Sequence, residues 1–240
     1  MAVRVLLLTG WLLAGSAAAV AHWFGPGVDG RKLDLVARHV RAAEASAAAE
    51  KYADAADEYA AALKELPDGR TADARRIRLE RAKAQMLARQ LPEAHGDLRG
   101  LVDEISADAG ADAKLLADAR STLANAQYYT TWLMRLEGLG RDEWEPEIEA
   151  SRQTYRLLAE DADRRGDAAS AAKHREDLEA AVRLARLDLS ELQGLNLPKQ
   201  CNGCCSCAGR KPGKKPGQGR PQQNDVRGAG GAPPIDDTGH

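Results

Sequence analysis

The sequence predicts an all-α fold, and three observations carry the prediction. Apolar residues between Arg31 and Gln193 recur three and four positions apart, which is the spacing of one face of an α-helix. The chain is rich in alanine and only 4% aromatic, a composition that suits closely packed helices. No run of strand length alternates apolar and polar residues, so nothing indicates a β-sheet.

An apolar stretch near the start of the chain is long enough to reach across a membrane. It runs from Val5 to Phe24, which is 20 residues. As a helix it would be about 30 Å long, close to the thickness of a bilayer core. We predict that residues 1–28 are an uncleaved signal anchor, with Trp23 at the interface, or a signal peptide cleaved after the Ala-Val-Ala motif at 19–21.

The side of the membrane on which the body lies has two opposed indications. The signal-like start favours a body outside the cytoplasm, anchored if the stretch stays uncleaved and secreted or periplasmic if it is removed. The positive-inside rule points the other way, because more basic residues follow the stretch than precede it. Those that follow are Arg31, Lys32, Arg38 and Arg41. We expect export, and the orientation stays open.

Residues 29–195 are predicted to form seven helices joined by short breakers. The clearest bounds are Lys32 to Lys51 for the first helix, Ala53 to Leu66 for the second and Ala111 to Leu136 for the fifth. Short connections place consecutive helices antiparallel. Each helix pair is amphipathic and cannot cover its own apolar face, so we expect the pairs to stack as a short α-solenoid.

Polar residues and glycines set several predicted helix ends. Thr71 is expected to cap the third helix, and Gly138 and Gly140 end the fifth. Asp142 is expected to cap the sixth helix, with Glu145 three residues later as a capping box. The seventh helix is expected to continue to about residue 193 as the end cap of the stack.

Two segments share a pattern of small and bulky residues that resembles the tetratricopeptide repeat. The packing positions of the first segment are Ala43, Tyr52, Ala55, Tyr59, Ala62 and Pro67. Those of the second segment are Ala82, Leu91, Ala94 and Leu98. Small residues let two helices touch, and the tyrosines fill the space toward the next pair. The third pair departs further from the pattern, with Trp144 in the position of Tyr52 and Leu91.

The resemblance implies a groove that binds a peptide or a partner helix. It therefore predicts a non-catalytic scaffold for protein–protein interactions, held at a membrane through residues 5–24 if these are not cleaved. The formal net charge of −2 provides no overall positive field, so no nucleic acid partner is expected. The sequence is also compatible with a homo-oligomer.

Aromatic residues concentrate in one part of the body and have two interpretations. Tyr128, Trp132, Arg135 and Trp144 are of the types that dominate binding hot spots, so they are candidate partner contacts. Alternatively they fill the core between the last helices. The second interpretation is favoured, because a core so poor in aromatic residues needs them inside.

No sequence motif of catalysis or phosphate binding occurs in the chain. There is no His-Glu-x-x-His, no Gly-x-Ser-x-Gly and no Gly-x-x-x-x-Gly-Lys-Ser/Thr. We therefore predict no catalytic residue and no organic cofactor. An enzyme with an unrecognised site stays as an alternative, since catalytic residues assemble from distant positions.

The cysteines form the sharpest local feature of the sequence. All of them lie in a Cys-rich junction at 196–207, namely Cys201, Cys204, Cys205 and Cys207. Outside the cytoplasm they are expected to form disulfides, which is the favoured prediction. The alternative is a Zn²⁺ or Cu(I) site that makes the protein a metal-binding or redox-sensitive one. Residues 208–240, rich in glycine, proline and basic residues, are predicted to be a disordered tail.

Overall fold

The computed structural model describes residues 10–11, 13–16 and 26–195, and these contain helices and no strand. Within residues 26–195, the helices are α1 (Pro26–Ala48), α2 (Tyr52–Glu65), α3 (Thr71–Leu87), α4 (Leu91–Ala107), α5 (Ala113–Leu136), α6 (Arg141–Arg164), α7 (Ala168–Arg186) and the short α8 (Leu189–Gln193). The all-α prediction is confirmed. The predicted tail at 208–240 and the Cys-rich junction lie outside the described residues.

The helices stack as successive pairs, in the order in which the chain makes them. Each of α1 to α6 packs against the next, α3 also contacts α5, and α5 also contacts α8. The buried apolar side chains form three clusters. One lies between α1, α2 and α3, the next between α3, α4 and α5, and the last between α5 and the helices that follow. Each cluster therefore joins one pair to the first helix of the next, which is how stacked pairs cover one another's apolar faces.

Most of the residues predicted to pack the two repeat-like segments are buried. They are Ala43, Ala55, Tyr59, Ala62, Ala82, Leu91, Ala94 and Leu98. Tyr52 and Pro67 are instead half-buried. Tyr52 is the first residue of α2, and Pro67 follows that helix in the turn, so both sit at ends of the pair where fewer neighbours cover them.

The contact between α1 and α2 depends on small side chains. Ala43 and Ala55 are both fully buried in the first cluster, which leaves no room for a larger residue at either position. Tyr59 belongs to the same cluster as Ile77 and Ala84 of α3, so its ring fills space toward the next pair. Burial, with the nearby carboxylate of Glu80, raises the pKa of Tyr59 to about 12.

The first helix begins well before its predicted start, and the third lacks its predicted cap. The first starts at Pro26, six residues before the predicted Lys32, because proline suits the opening turn of a helix. Thr71 is the first residue of α3 and not its cap, a role taken by the backbone of Arg70. No side chain caps this end, and Arg70 Nε instead donates to Asp73 Oδ2 at 2.7 Å.

The predicted cap of α6 was placed two residues too late. Gly140 precedes the helix, and its N–H donates to Glu143 Oε2 at 2.8 Å. This is the carboxylate half of a capping box, shifted by two residues from Asp142 and Glu145. The shift occurs because Gly138, with φ of +79°, ends α5 in a tight turn. The Asp142 carboxylate lies where a side chain at Gly140 would start, with Oδ1 2.6 Å from an ideal Cβ.

The last predicted helix is broken into two. α7 ends at Arg186, and Leu187 is extended with ψ of 144°. Asp188 then caps α8, its Oδ1 accepting the N–H of Glu191 at 2.7 Å. Aspartate is a favoured N-cap residue, because its carboxylate accepts the unpaired N–H groups of the first turn. The start of a new helix after Asp188 therefore competes with continuation of α7. The break turns Leu192 inward, where it is fully buried.

The membrane prediction rests mainly on residues outside those described. Of the stretch 5–24, the structure describes residues 10–11 and 13–16, which are helical and exposed. In the described residues, no helix is long and apolar enough to cross a membrane.

Candidate interaction surface

The first helices of successive pairs, α3, α5 and α7, form one side of the stack, which we call the first-helix face. An ion pair joins two of them directly. Lys83 of α3 is buried, and its Nζ lies 2.8 Å from Glu80 Oε1 and 3.6 Å from Asp118 Oδ2 on α5. A buried ammonium is stable only with charged partners, so this pair fixes the second helix pair against the third.

A cleft of about 550 Å³ opens on the first-helix face between α5 and α7. Ala113, Ala117 and Ser121 of α5 line one wall at spacings of four residues, so one small side chain follows another along the helix. The buried Leu158 of α6 supplies an apolar part of the lining. The volume falls within the range of known small-ligand and peptide-side-chain sites.

The charged side chains that line the cleft differ in whether they form an ion pair or a hydrogen bond with another residue. Lys114 at the start of α5 and Arg165 after α6 line the cleft, and neither forms an ion pair with any described residue. Lys173 is partly neutralised by Asp177, with Nζ 2.9 Å from Oδ2. Asp167 caps α7, and hydrogen bonds from Ser170 lower the pKa of its carboxyl. Lys114 and Arg165 are therefore outside any ion pair, although the charge of Arg165 also acts on Asp167, and cationic side chains outnumber carboxylates in the lining three to two.

His174 of α7 lines the same cleft and is half-buried. Its ring stacks on Tyr155 of α6, with the centroids 6.4 Å apart. Its Nδ1 is buried without a hydrogen-bond partner among the described residues, and the nearest Asp177 oxygen is 3.9 Å away. Burial, followed by the charge of Lys173, lowers the pKa of His174, which favours the neutral imidazole.

Of the four residues predicted as a hot spot or as core, Tyr128, Trp132 and Trp144 belong to the third cluster, and Arg135 lies over the ring of Trp144. Trp132 and Trp144 are buried there, and Arg135 is 9% exposed. Tyr128 is half-buried, with its ring 6.0 Å from that of Trp132. Only Tyr128 therefore has a side chain partly open to a partner. The partner-contact interpretation of this group stays a prediction.

Sequence reasoning missed the cleft and the residues that line it. Lys114, Arg165 and Lys173 are ordinary surface residues in the sequence, because nothing local shows that α5 and α7 come together across α6. One signal was present: Ala113, Ala117 and Ser121 place small side chains along one edge of a long helix. Such a row leaves open space when no neighbouring helix fills it.

Metal binding has no candidate residues within the described part of the chain. No group of three or more His, Cys, Asp or Glu side chains there could hold a metal ion. Cys201, Cys204, Cys205 and Cys207, predicted to form disulfides or a Zn²⁺ or Cu(I) site, lie outside the described residues.

Comparison with known proteins adds no relative to this picture. No protein-family model, no curated protein and no solved structure matches the chain. The first-helix face and its cleft are therefore interpreted from their own residues.

Proposed function

We propose that this chain is a non-catalytic scaffold that holds a partner protein on the first-helix face of a tetratricopeptide-like repeat domain. The observation that carries the proposal is the open cleft between α5 and α7, on a face where α3 and α5 are already fixed together by Lys83 and Asp118. A rigid face with an open cleft suits the capture of a protruding peptide segment.

The tetratricopeptide-like character is supported by the way in which the first two pairs pack. Ala43 and Ala55 meet without exposed surface, and Tyr59 reaches Ile77 of the next pair. These are the roles that the family pattern gives to small and bulky positions. The third pair has longer helices, 24 residues each, and its core is built on Trp132 and Trp144 instead.

The arrangement of the cleft favours binding over catalysis. Ser121, Ser170 and His174 are the cleft residues from which a nucleophile and base would be drawn. In the described structure no hydrogen bond joins either hydroxyl to the imidazole, the geometry that activates a serine nucleophile. Ser170 is instead bonded to Asp167 at the start of α7.

Membrane attachment or export completes the proposal and rests on the sequence. The apolar stretch at 5–24 is expected to anchor the chain or to direct its export. With the export that we expect, the repeat domain would meet its partner outside the cytoplasm, at the membrane surface if the anchor is retained.

Affinity purification tests this proposal. The tagged 240-residue chain is purified from detergent-solubilised native cells, beside a variant in which Ala117→Trp fills the cleft, and co-purified proteins are quantified by mass spectrometry. The matched control is Asp103→Trp on the exposed side of α4. We expect a stoichiometric partner with the wild type and the control, and much less with Ala117→Trp. If no partner accompanies the wild type, the scaffold proposal fails.

A second candidate function comes from the cysteine cluster. A C-x-x-C-C-x-C pattern places four thiols within seven residues, a density that suits a soft metal ion such as Zn²⁺ or Cu(I). The test is metal content after purification without chelators, compared with a Cys204→Ser, Cys205→Ser double variant. Metal bound by the wild type and lost in the variant supports this function. Free-thiol titration showing no reduced cysteine supports disulfides instead.

A further inference from the structure

From the charges of the cleft between α5 and α7 we infer the chemistry of its occupant, an acidic segment of a partner protein that places glutamate or aspartate side chains beside Lys114 and Arg165. The inference rests on the proposed function, since it names the partner segment that the same face would hold. It goes further because the repeat pattern specifies no charge for the ligand.

The cleft is lined by more cations than carboxylates. Lys114 and Arg165 are exposed, line the same cleft and have no ion-pair partner among residues 26–195. Asp118 already faces Lys83, and Asp167 is held by Ser170. The charge of Arg165 also contributes, after the bonds from Ser170, to the lowered pKa of the Asp167 carboxyl. Both carboxylates of the lining thus already face cations of the protein, which outnumber them three to two. An anionic ligand is the complement that remains.

The N-terminus of α7 lies at the cleft. This helix has 19 residues and begins at the cleft, so the positive end of its dipole adds to the potential at Ser170 and Lys173. The negative charge of the capping Asp167 weakens the contribution of the dipole, but the positive charges of Lys114 and Arg165 remain. Cations therefore stand on both walls, one on α5 and one beside the start of α7.

The size and polarity of the cleft also limit what can bind in it. The α5 wall carries Ala113, Ala117 and Ser121, so a ligand side chain can enter without displacing a bulky residue. Leu158 is the one large apolar residue of the lining, which is too little to hold the apolar face of a helix. A basic segment would meet like charges. A flat membrane or a nucleic acid duplex could not enter a cleft between two helices.

The pKa of His174 reports whether a carboxylate is bound in the cleft. Its imidazole lines the cleft among Lys114 and Asp118 on α5, Arg165 and Asp167 before α7, and Lys173 and Asp177 on its own helix. Burial holds the pKa of His174 low, and a bound carboxylate would stabilise the imidazolium. The pKa of His174 therefore rises when the acidic segment binds, and by linkage binding tightens as the pH falls through that pKa.

The probe for the experiment is a pool of peptides with two fixed adjacent glutamates, randomised flanks and an amidated C-terminus. A second pool carries glutamines in their place. The 240-residue chain is immobilised, and the retained fraction of each pool is measured. We expect the glutamate pool to be retained about tenfold more than the glutamine pool, because two exposed charge pairs are formed. Equal retention of the two pools would overturn the inference.

Three variants locate the binding. The double variant Lys114→Glu, Arg165→Glu reverses both cations, and Ala117→Leu fills the space without changing the charge. Arg38→Glu reverses one exposed cation on α1, which does not line the cleft. The first two should abolish the preference for glutamate, and Arg38→Glu should keep it. Loss with Arg38→Glu as well would mean a general charge effect, which contradicts a site in the cleft. Circular dichroism establishes that each variant is folded.

The imidazole signals of His174 provide the second readout. In NMR titrations, retained glutamate peptides should raise the pKa of His174 and leave the chemical shifts of the His39 ring on α1 unmoved. An unshifted His174 contradicts the inference. Affinity purification of the native partner distinguishes failure of the acidic-segment inference from failure of the scaffold proposal. A partner bound equally by wild type and the double variant refutes the acidic-segment inference and leaves the scaffold intact. Absence of any partner refutes the scaffold.

Discussion

Arg135 of α5 lies over the ring of Trp144 in α6, with its guanidinium carbon 4.7 Å from the ring centroid. The same guanidinium donates to the backbone carbonyls of Leu184 and Leu187 at the end of α7. A helix leaves its last carbonyls without partners, and a cation there also meets the negative end of the helix dipole. One side chain thus holds the ends of three helices together in the third cluster.

Replacing Arg135 should destabilise the fold more than replacing an exposed arginine does. Arg135→Met keeps much of the volume and removes the hydrogen bonds and the ring contact, so we expect a loss of about 2–3 kcal/mol in the free energy of unfolding. The control is Arg156→Met, whose side chain is 74% exposed and pairs with Glu160 within one helix turn. That change should cost about 0.5 kcal/mol. Equal midpoints in urea for the two variants would contradict the role given to Arg135.

The closeness of α1 and α2 predicts the effect of a larger residue at Ala55. Ala55 is fully buried, so Ala55→Leu must push the two helices apart and should cost about 1–3 kcal/mol. Ala53→Leu, on the exposed side of the same helix, should change stability by less than about 0.5 kcal/mol. Thermal unfolding of both variants checks this. A midpoint for Ala55→Leu close to that of the wild type would show that the helices are not in contact there.

The ion pairs between α3 and α4 predict a dependence of stability on acid. Arg75 Nε lies 2.9 Å from Glu104 Oε1, and Nη1 lies 2.6 Å from Asp108 Oδ2. These bonds lower the pKa of both carboxyl groups below their ordinary values of 4.5 and 3.8. A lowered acid pKa contributes stability above the unfolded value, and that stability is lost as the pH falls through the folded one.

We therefore expect the stability advantage of the wild type over Arg75→Met to be full at pH 7. It should shrink progressively once the pH falls below about 4.5. Urea unfolding of both proteins at a series of pH values measures the difference. A difference that stays constant from neutral pH into strong acid would mean that the two carboxylates contribute nothing through Arg75.

Two glycines should respond to alanine with opposite signs. Gly138 has φ of +79°, and it follows α5 with the N–H of Leu139 bonded to the carbonyl of Met134. Gly138→Ala should cost about 1–2 kcal/mol, since only glycine adopts this conformation without strain. Gly100 lies inside α4 with open space around it, so Gly100→Ala should add about 0.5–1 kcal/mol. Unfolding midpoints that move in the same direction would contradict these helix assignments.

The sequence predicted the helices well because each carries its own local signal. The spacing of Leu98, Leu101 and Ile105, for example, indicates the buried side of α4 without knowledge of the rest. Gly138 likewise marks the end of α5, since glycine is the usual residue there. Caps were predicted less well. Asp142 is a good cap by type, yet the turn after Gly138 is so short that Gly140 takes the position.

The cleft could not be predicted because it depends on how far apart helices of different pairs lie. Lys114 and Arg165 are 51 positions apart, and each looks like a solvated charge, Lys114 in the first turn of α5 and Arg165 just after α6. Burial of charge was missed for the same reason. Arg75, Lys83 and Arg135 are polar residues that a periodic pattern assigns to the surface, whereas ion pairs or helix-end carbonyls hold them inside.

The central claim is that the first-helix face holds a partner protein, and site-specific photo-crosslinking in native cells tests it most directly. A photoreactive amino acid is placed at the position of Ala117 in the cleft and, in a separate protein, at that of Asp103 on α4. We predict a discrete crosslinked adduct from Ala117, lost when Lys114→Glu and Arg165→Glu are added, and none from Asp103. An adduct from Asp103 alone, or none from either position, would contradict the account.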